Sequence, residues 1–247
     1  METSQGGTGS WPDARVVTRE RTSSTMDDAL ALAREGCPTG TVVVAGFQER
    51  GRGRVPGRTW LSPLWESLLA TVVIRLRDMG GALHELPLRA GVAVARAVED
   101  HTGVVVEIKW PNDVMGDGRK LAGLLCEAHG DVALVGFGVN CRQRSFPQEI
   151  AATACSLWQL TGHDVDPLAL LPFVLARLKE SLVGAQWRGF LRDRLYGKGR
   201  VMRVDLLGSG RSVSGVIHDV DEQGRLILLD AEGTRIVIAH GEISAGQ

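Results

Sequence analysis

The chain has no Cys-x-x-Cys pair, no appreciable net charge and no long apolar run. Its four cysteines (Cys37, Cys126, Cys141 and Cys155) are scattered, and no histidine stands at metal-ligand spacing from them. That argues against a zinc site and against a disulfide framework. Basic and acidic side chains number 28 and 29, a net charge of −1, so no overall field draws nucleic acid or an anionic membrane. No segment approaches the roughly 18 apolar residues that a membrane span needs. Met1 to Ser10 is polar and glycine-rich, without the apolar centre of a signal peptide. The cytoplasm is therefore the expected compartment, with neither DNA nor membrane as a partner.

Several site signatures are missing too. The run Gly51-Arg52-Gly53-Arg54 is not followed by the Gly-Lys-Ser/Thr of a phosphate-binding P-loop. Gly136-Phe137-Gly138 lacks the third glycine and the following helix of a dinucleotide fingerprint. There is no Gly-x-Ser-x-Gly elbow. His84, His101, His129, His163, His218 and His240 lie apart near expected turns and are read as non-catalytic.

What is present is enough chain, 247 residues at 44% hydrophobic, for a mid-sized domain with its own core plus a small one. Residues 1–12 read as a disordered N-terminus. Hydroxyl caps at Ser24-Thr25, followed by Asp27 and Asp28, predict a helix that Gly36 stops. Thr41 to Phe47 and Ser67 to Ile74 read as buried strands. Leu88, Val92, Ala95 and Val98 line a second helix ending before Gly103. Three short strands are then expected, at Val104 to Ile108, Leu121 to Glu127 and Asp131 to Val139. Asp166-Pro167 opens a third helix with a stripe of Leu168, Leu171, Leu175, Leu178 and Leu182. After Gly197 the texture shifts to short alternating strands separated by glycine turns, which suggests a small β-barrel of roughly 50 residues.

Four stretches have the makings of a site. In Gly51-Arg52-Gly53-Arg54, with Arg58 beyond, glycines permit close backbone approach and arginines offer permanent planar cations for carboxylate or phosphate. Lys109-Trp110-Pro111-Asn112-Asp113 places a lysine where a strand runs out beside a rigid turn. Lys120-Leu121-Ala122-Gly123 and Gly136-Phe137-Gly138-Val139-Asn140 put glycines into adjacent strands, where a flat ligand gains a backbone wall. Each also has an ordinary structural reading: a solvated loop, an Asn-Asp turn, a strand bulge, a strand exit.

Their order and spacing, with Ser24-Thr25 and Gln48 ahead of them, resemble biotin protein ligases from about residue 15 to the C-terminus. Lys-Trp-Pro-Asn-Asp is the most specific element, and Gly241-Glu242-Ile243-Ser244 closes a segment similar to that family's SH3-like barrel. The resemblance implies an α+β fold: a mixed sheet with packed helices, as in class II synthetase-like catalytic domains, over residues 13–196. A C-terminal SH3-like β-barrel would occupy 197–247. It implies activation of biotin by ATP with Mg2+ to biotinyl-5'-AMP, then transfer to a lysine of a biotin carboxyl carrier protein domain of a biotin-dependent carboxylase. Lys109, Arg52 and Arg54 would be catalytic. Biotin would meet Ser24, Thr25, Met26, Gln48, Gly51, Gly53, Gly123 and Gly138 together with Arg52, Arg54 and Lys109. ATP would meet Arg54, Arg58, Trp60, Asn112, Lys120 and Asn140, with no protein-held metal. Repressor activity is not expected, and the protein would be a monomer or homodimer. A lipoate or octanoyl ligase of the same fold is the nearest alternative, and an inactive biotin-binding module the next. Val55-Pro56 lengthens the arginine loop by one residue against the family's usual pattern, and Met26 replaces a residue that is often polar.

Overall fold

In the computed structural model, residues 15–55 and 57–244 are described; the expected disordered stretch at 1–12 and Pro56 lie outside them. The chain opens with strand β1 (Val16–Thr22), helix α1 (Thr25–Arg34), β2 (Val42–Gln48) and β3 (Ser67–Arg75). Helix α2 (Leu86–Thr102) leads to β4 (Glu107–Lys109), β5 (Asp113–Gly116), β6 (Arg119–His129) and β7 (Val132–Asn140). Helices α3 (Leu157–Thr161), α4 (Pro167–Val183) and α5 (Trp187–Asp193) follow. The seven strands form one sheet in the order β1-β2-β3-β7-β6-β5-β4. Only β1 and β2 run parallel; every other neighbouring pair is antiparallel, so the sheet is mixed.

Alternate residues of the central strands serve two cores. Val42, Val44, Val72, Ile74 and Val135 face α2 and α4, whereas Val43, Val73 and Leu134 face Met26, Ala29 and Ala33 of α1. A strand covered on both sides needs apolar side chains at every position, which is why Thr41 to Phe47 shows no polar alternation. Helix ends follow the sequence: Ser24 Oγ accepts from Met26 N, Asp166 caps Leu168 N, and Gly103 takes φ 74° to end α2.

Some expectations are corrected. Strand β1 was not anticipated: Thr18, Arg19, Glu20 and Arg21 carry no apolar alternation, and the segment is a strand only through its pairing with β2 at the sheet edge. Between Val104 and Val139 there are four strands and not three: Asp113–Gly116 pairs with both β4 and β6 where an Asn-Asp turn was the simpler reading. The strand expected from Val104 starts only at Glu107, and Val105 is exposed. In α4, Leu168 is exposed while Leu170 and Val174 are buried. At 100° per residue Leu168 sits on one rim of the leucine stripe, and the arc that meets α2 is displaced to the other rim. Helices α3 and α5 are short and carried no clear periodic signal.

Beyond α5 the chain forms a second, antiparallel five-stranded sheet. Its strands are β8 (Val201–Leu206), β9 (Ser212–Val220), β10 (Leu226–Leu229), β11 (Arg235–Ile238) and β12 (Gly241–Ser244), in the order β11-β10-β9-β8-β12. Four of them match the short strands that the alternation after Gly197 predicts, at Val201 to Leu207, Val213 to His218, Leu226 to Leu229 and Ile236 to Ala239; the fifth, β12, is the Gly-Glu-Ile-Ser segment. Met202, Ile217 and Leu226 belong to the same continuous apolar cluster as α2 and α4. The fold expected from the resemblance, a mixed sheet with helices and a small all-β unit, is the one present. Among the described residues no helix is long and apolar enough to cross a membrane.

Candidate active site

The centre of the sheet presents bare backbone. Gly123 of β6 and Gly138 of β7 are direct cross-strand partners, and Gly136 lies two residues along. A Cβ on Gly138 would stand 2.6 Å from the Trp60 indole, and one on Gly123 would stand 2.9 Å from it. On Gly136 it would meet Met26 Sδ at 2.7 Å. Such separations are well inside van der Waals contact, so these positions admit only glycine without displacement. The expected backbone wall is present, and the flat group lying on it is the chain's own Trp60, whose buried Nε1 has no hydrogen-bond partner among the described residues.

At one end of the wall lies a polar pocket. Gln48 Oε1 accepts from Thr25 N at 2.8 Å and from Thr25 Oγ1 at 2.9 Å. Thr25 Oγ1 is also 2.8 Å from Thr71 Oγ1, in a fully buried contact. Ser24, Thr25, Met26 and Gln48 line this cavity together with Arg52, Gly53 and Arg54 from the loop. Gly123 and Gly138 form its back, and Trp60, Asn112 and Lys120 its side.

The arginine loop is folded on itself. Gly53 N donates to Arg58 O at 2.9 Å, Trp60 N donates to Gly51 O at 3.0 Å, and Arg52 bridges Thr59. A Cβ at Gly51 would lie 2.8 Å from Trp60 O, so this glycine is required by the loop's own pairing; Gly51 borders Gln48 but does not line the cavity. The three guanidiniums diverge. Arg52 pairs with Asp27 of α1 at 2.9 Å. Arg54 donates to Gly241 O at 3.0 Å, and Arg58 reaches Glu242 at 2.5 Å. The two later arginines are thus held by β12 of the small sheet.

Lys109 ends β4 opposite Asp113 in the first pair of β5. Burial lowers its ammonium below the usual lysine value, and the carboxylates of Asp113 and Glu242 only partly offset this. Lys109, Arg54, Arg58, Trp60, Asn112 and Lys120 line one cleft with Asp113 and Glu242. Lys120 Nζ lies 2.7 Å from Asp113 Oδ1, an ionic contact in which that oxygen gains no aligned hydrogen bond. Burial works to raise the Glu242 carboxyl, but the hydrogen bond from Arg58 and the charges of Arg58, Arg54 and Lys109 outweigh it and hold the group below the usual range. Arg54, by contrast, is lowered by desolvation.

The amides have local duties. Asn112 Nδ2 donates to Leu124 O at 2.7 Å, tying the turn after β4 to β6. Asn140 is buried, donates to Cys155 O at 2.9 Å, and borders a wider open groove lined by Leu61, Met115, Phe146, Ile150 and Tyr196. Every candidate residue except Gly51 therefore opens onto one of three adjoining cavities. Sequence reasoning missed Thr71, Asp27 and Glu242. Thr71 looks like a core strand residue, Asp27 like a helix-start charge, and Glu242 sits 133 positions after Lys109. Asp113 stood inside the quoted motif without a role.

A cleft with clustered cations and a backbone wall, roofed by a strand from a second sheet, is suited to bind anionic small molecules. Comparison with known proteins narrows the class. Residues 18–143 match the Biotin/lipoate A/B protein ligase family, and residues 203–246 match the Biotin protein ligase C terminal domain. The chain is 35% identical to the Biotin--[acetyl-CoA-carboxylase] ligase of Mycobacterium tuberculosis over 250 aligned positions, covering 96% of this chain and 91% of that one. It is 30% identical to the Bifunctional ligase/repressor BirA of Bacillus subtilis, covering 89% of this chain and 71% of that protein. Among solved structures, the biotin protein ligase from Aquifex aeolicus in complex with biotin and ATP superposes with a TM-score of 0.81 at 31% identity, over 93% of this chain and 97% of that one. The chain belongs to the biotin protein ligases of the biotin/lipoate ligase family.

Proposed function

We propose that this enzyme uses ATP to convert biotin to biotinyl-5'-AMP and then passes the biotinyl group to a lysine of a biotin carboxyl carrier protein domain. A biotin carboxylate oxygen attacks the α-phosphate and pyrophosphate leaves; the carrier's amine then attacks the acyl carbon, loses its proton, and AMP leaves. Two anions must meet in the first step, so fixed cations between them offset both their repulsion and the charge that grows on the phosphorus oxygens. The observation that carries the reading is the convergence of Lys109, Arg54, Arg58 and Lys120 on one cleft beside the glycine wall. The bound biotin and ATP of the Aquifex structure support it, as does the carboxylase named in the mycobacterial relative's description.

In this reading Lys109 touches carboxylate and α-phosphate oxygens, Arg52 and Arg54 close over the acyl-adenylate, and Arg58 faces the phosphates. Ser24, Thr25 and Gln48 bind the ureido head, Met26, Gly51 and Gly53 shape its surroundings, and Gly123 and Gly138 back the rings. Trp60, Asn112, Lys120 and Asn140 border the nucleotide. Mg2+ would enter with the phosphates and screen their charge. Among the described residues no three His, Cys, Asp or Glu side chains gather to hold a metal. The carboxylates of the cleft are already engaged, Asp113 with Lys120 and Glu242 with Arg58, so the ion would be carried by the phosphates rather than by a protein ligand set. The catalytic unit would span 13–196, and no repressor role is part of the proposal.

Biotin-dependent ATP–pyrophosphate exchange tests the reading. Exchange with biotin and none with lipoate is expected; exchange with lipoate alone would transfer the assignment to the lipoate ligases.

A further inference from the structure

Lysine is scarce in this chain: only Lys109, Lys120, Lys179 and Lys198 stand among the 28 basic side chains, and the others are arginines. The difference matters to an enzyme that holds an acyl-adenylate. An amine attacks such an anhydride, whereas a guanidinium stays protonated and does not. Lys179 and Lys198 line none of the three adjoining cavities, but Lys109 and Lys120 lie in the cleft itself. Among the described residues, only Lys120 and Trp60 border all three cavities, so the Lys120 amine sits where head pocket, cation cleft and outer groove meet. A Cβ at Gly123 would stand 3.1 Å from both Cε and Nζ of Lys120, which places that side chain across the glycine wall.

We infer that Asp113 guards the cleft against self-acylation: by holding the Lys120 ammonium, it keeps the enzyme's own amine from capturing the biotinyl group before a carrier arrives. The inference rests on the proposed biotinyl-adenylate chemistry.

An amine attacks through its lone pair, and an ammonium has none. Lys120 Nζ lies 2.7 Å from Asp113 Oδ1 and stands over the Trp60 ring, 5.9 Å from its centroid. Both attractions belong to the charged form and are lost with the proton. To attack, Lys120 must therefore forfeit the two contacts that hold it. The guard is fixed by the sheet. Asp113 pairs in register with Lys109 of β4 on one side and Gly123 of β6 on the other, so β5 sets its carboxylate between the two cleft lysines. Its charge also favours the ammonium of Lys109 against burial.

Without that carboxylate, the Lys120 nitrogen would bond to the acyl carbon as the bond from that carbon to the phosphate oxygen breaks. AMP would leave with the electron pair, and the surplus proton would pass to water. The product is an amide on Lys120 that blocks the cleft.

The test incubates the whole enzyme with biotin and ATP, without carrier, and maps biotinylated lysines by mass spectrometry. Wild type should carry little label at Lys120. Asp113→Asn, similar in shape but uncharged, should label Lys120 at least about fivefold faster, the factor that a partly exposed ion pair is worth. Asp113→Glu should restore the wild-type rate, and Lys120→Arg in the asparagine background should return total labelling to the wild-type level. Synthetic biotinyl-AMP replaces biotin and ATP if the asparagine variant adenylates slowly, and Asp113→Ser carries the test if that variant folds poorly. An unchanged Lys120 rate, or a glutamate variant labelled as fast as asparagine, would overturn the inference. So would equal gains at Lys179 and Lys198, which report adenylate escaping from a loosened cleft. Biotin-dependent exchange by wild type is measured first: its absence would overturn the substrate reading, whereas exchange without the Lys120 gain overturns the guard alone.

Discussion

At the scale of single residues, Lys109 illustrates what a reactive cleft costs. Its ammonium is partly withdrawn from water, so the fold disfavours the charge that the proposed chemistry needs. A base whose pKa falls on folding weakens the fold while it remains protonated, and that penalty fades as pH rises through the folded value. Lys109→Met should therefore abolish exchange by several orders of magnitude yet melt no lower than wild type; a clearly lower melting midpoint would mean that Asp113 and Glu242 outweigh burial. The same shift fixes the alkaline limb. The cation is present below its pKa, so kcat/KM, which reports the free enzyme, should fall at a pH below the ordinary lysine value of 10.5. Its alkaline limb should move upward in Lys109→Arg if that variant retains measurable exchange. Arg54 offers a second check. Its guanidinium ties the loop to Gly241 O, so Arg54→Gly should open the cleft and release biotinyl-AMP, read as label on bystander lysines in mixed protein.

At the scale of elements, the paired glycines of β6 and β7 weaken two long strands at their centres, and something must compensate. What lies there is the Trp60 indole, within the distance that any side chain would occupy. Gly138→Ala should displace that ring, cost about 1–3 kcal/mol as an overpacked site does, and depress exchange more than tenfold. Denaturant melts and exchange rates on the same preparation check both halves; an alanine variant of wild-type activity would remove the wall from the argument. Elements also explain uneven legibility. Helix α1 announced itself through Ser24 and two aspartates, and α4 through Asp166-Pro167, because caps are local chemistry. Strand β5 did not, since four residues following a proline turn have no periodicity of their own and become a strand only by pairing on both sides.

At the scale of the molecule, the small sheet does more than follow the large one. It sends β12 across the cleft, where Gly241 O receives Arg54 and Glu242 receives Arg58. A second tie runs from Trp110 Nε1 to Gly224 O at 2.9 Å, joining the turn after Lys109 to the loop between β9 and β10. A third is the buried Glu85, held by Arg89 and by Arg188, whose guanidinium also donates to Asp221 O and Glu222 O. Trp110→Phe removes one donor and leaves Gly224 O unpaired, so it should lower stability by about 1 kcal/mol. If the tie also positions the turn, the KM for ATP should rise with it. Equal unfolding midpoints would show that water replaces the indole N–H without loss.

The sequence by itself determined the helix caps, the buried strands of the sheet, the alternating strands of the C-terminal unit, and the residues that the arginine loop and the Lys-Trp-Pro-Asn-Asp turn bring to a cleft. Those signals are local: a cap, a period of two, a glycine among bulky neighbours. Tertiary structure alone decided that Thr71 stands behind Thr25, that Glu242 meets Arg58, and that a tryptophan occupies the wall. Each of these joins residues that are 46, 184 and 63 to 78 positions apart. No short-range pattern encodes such meetings, because burial and pairing are fixed only when the sheet closes and the second unit docks upon it.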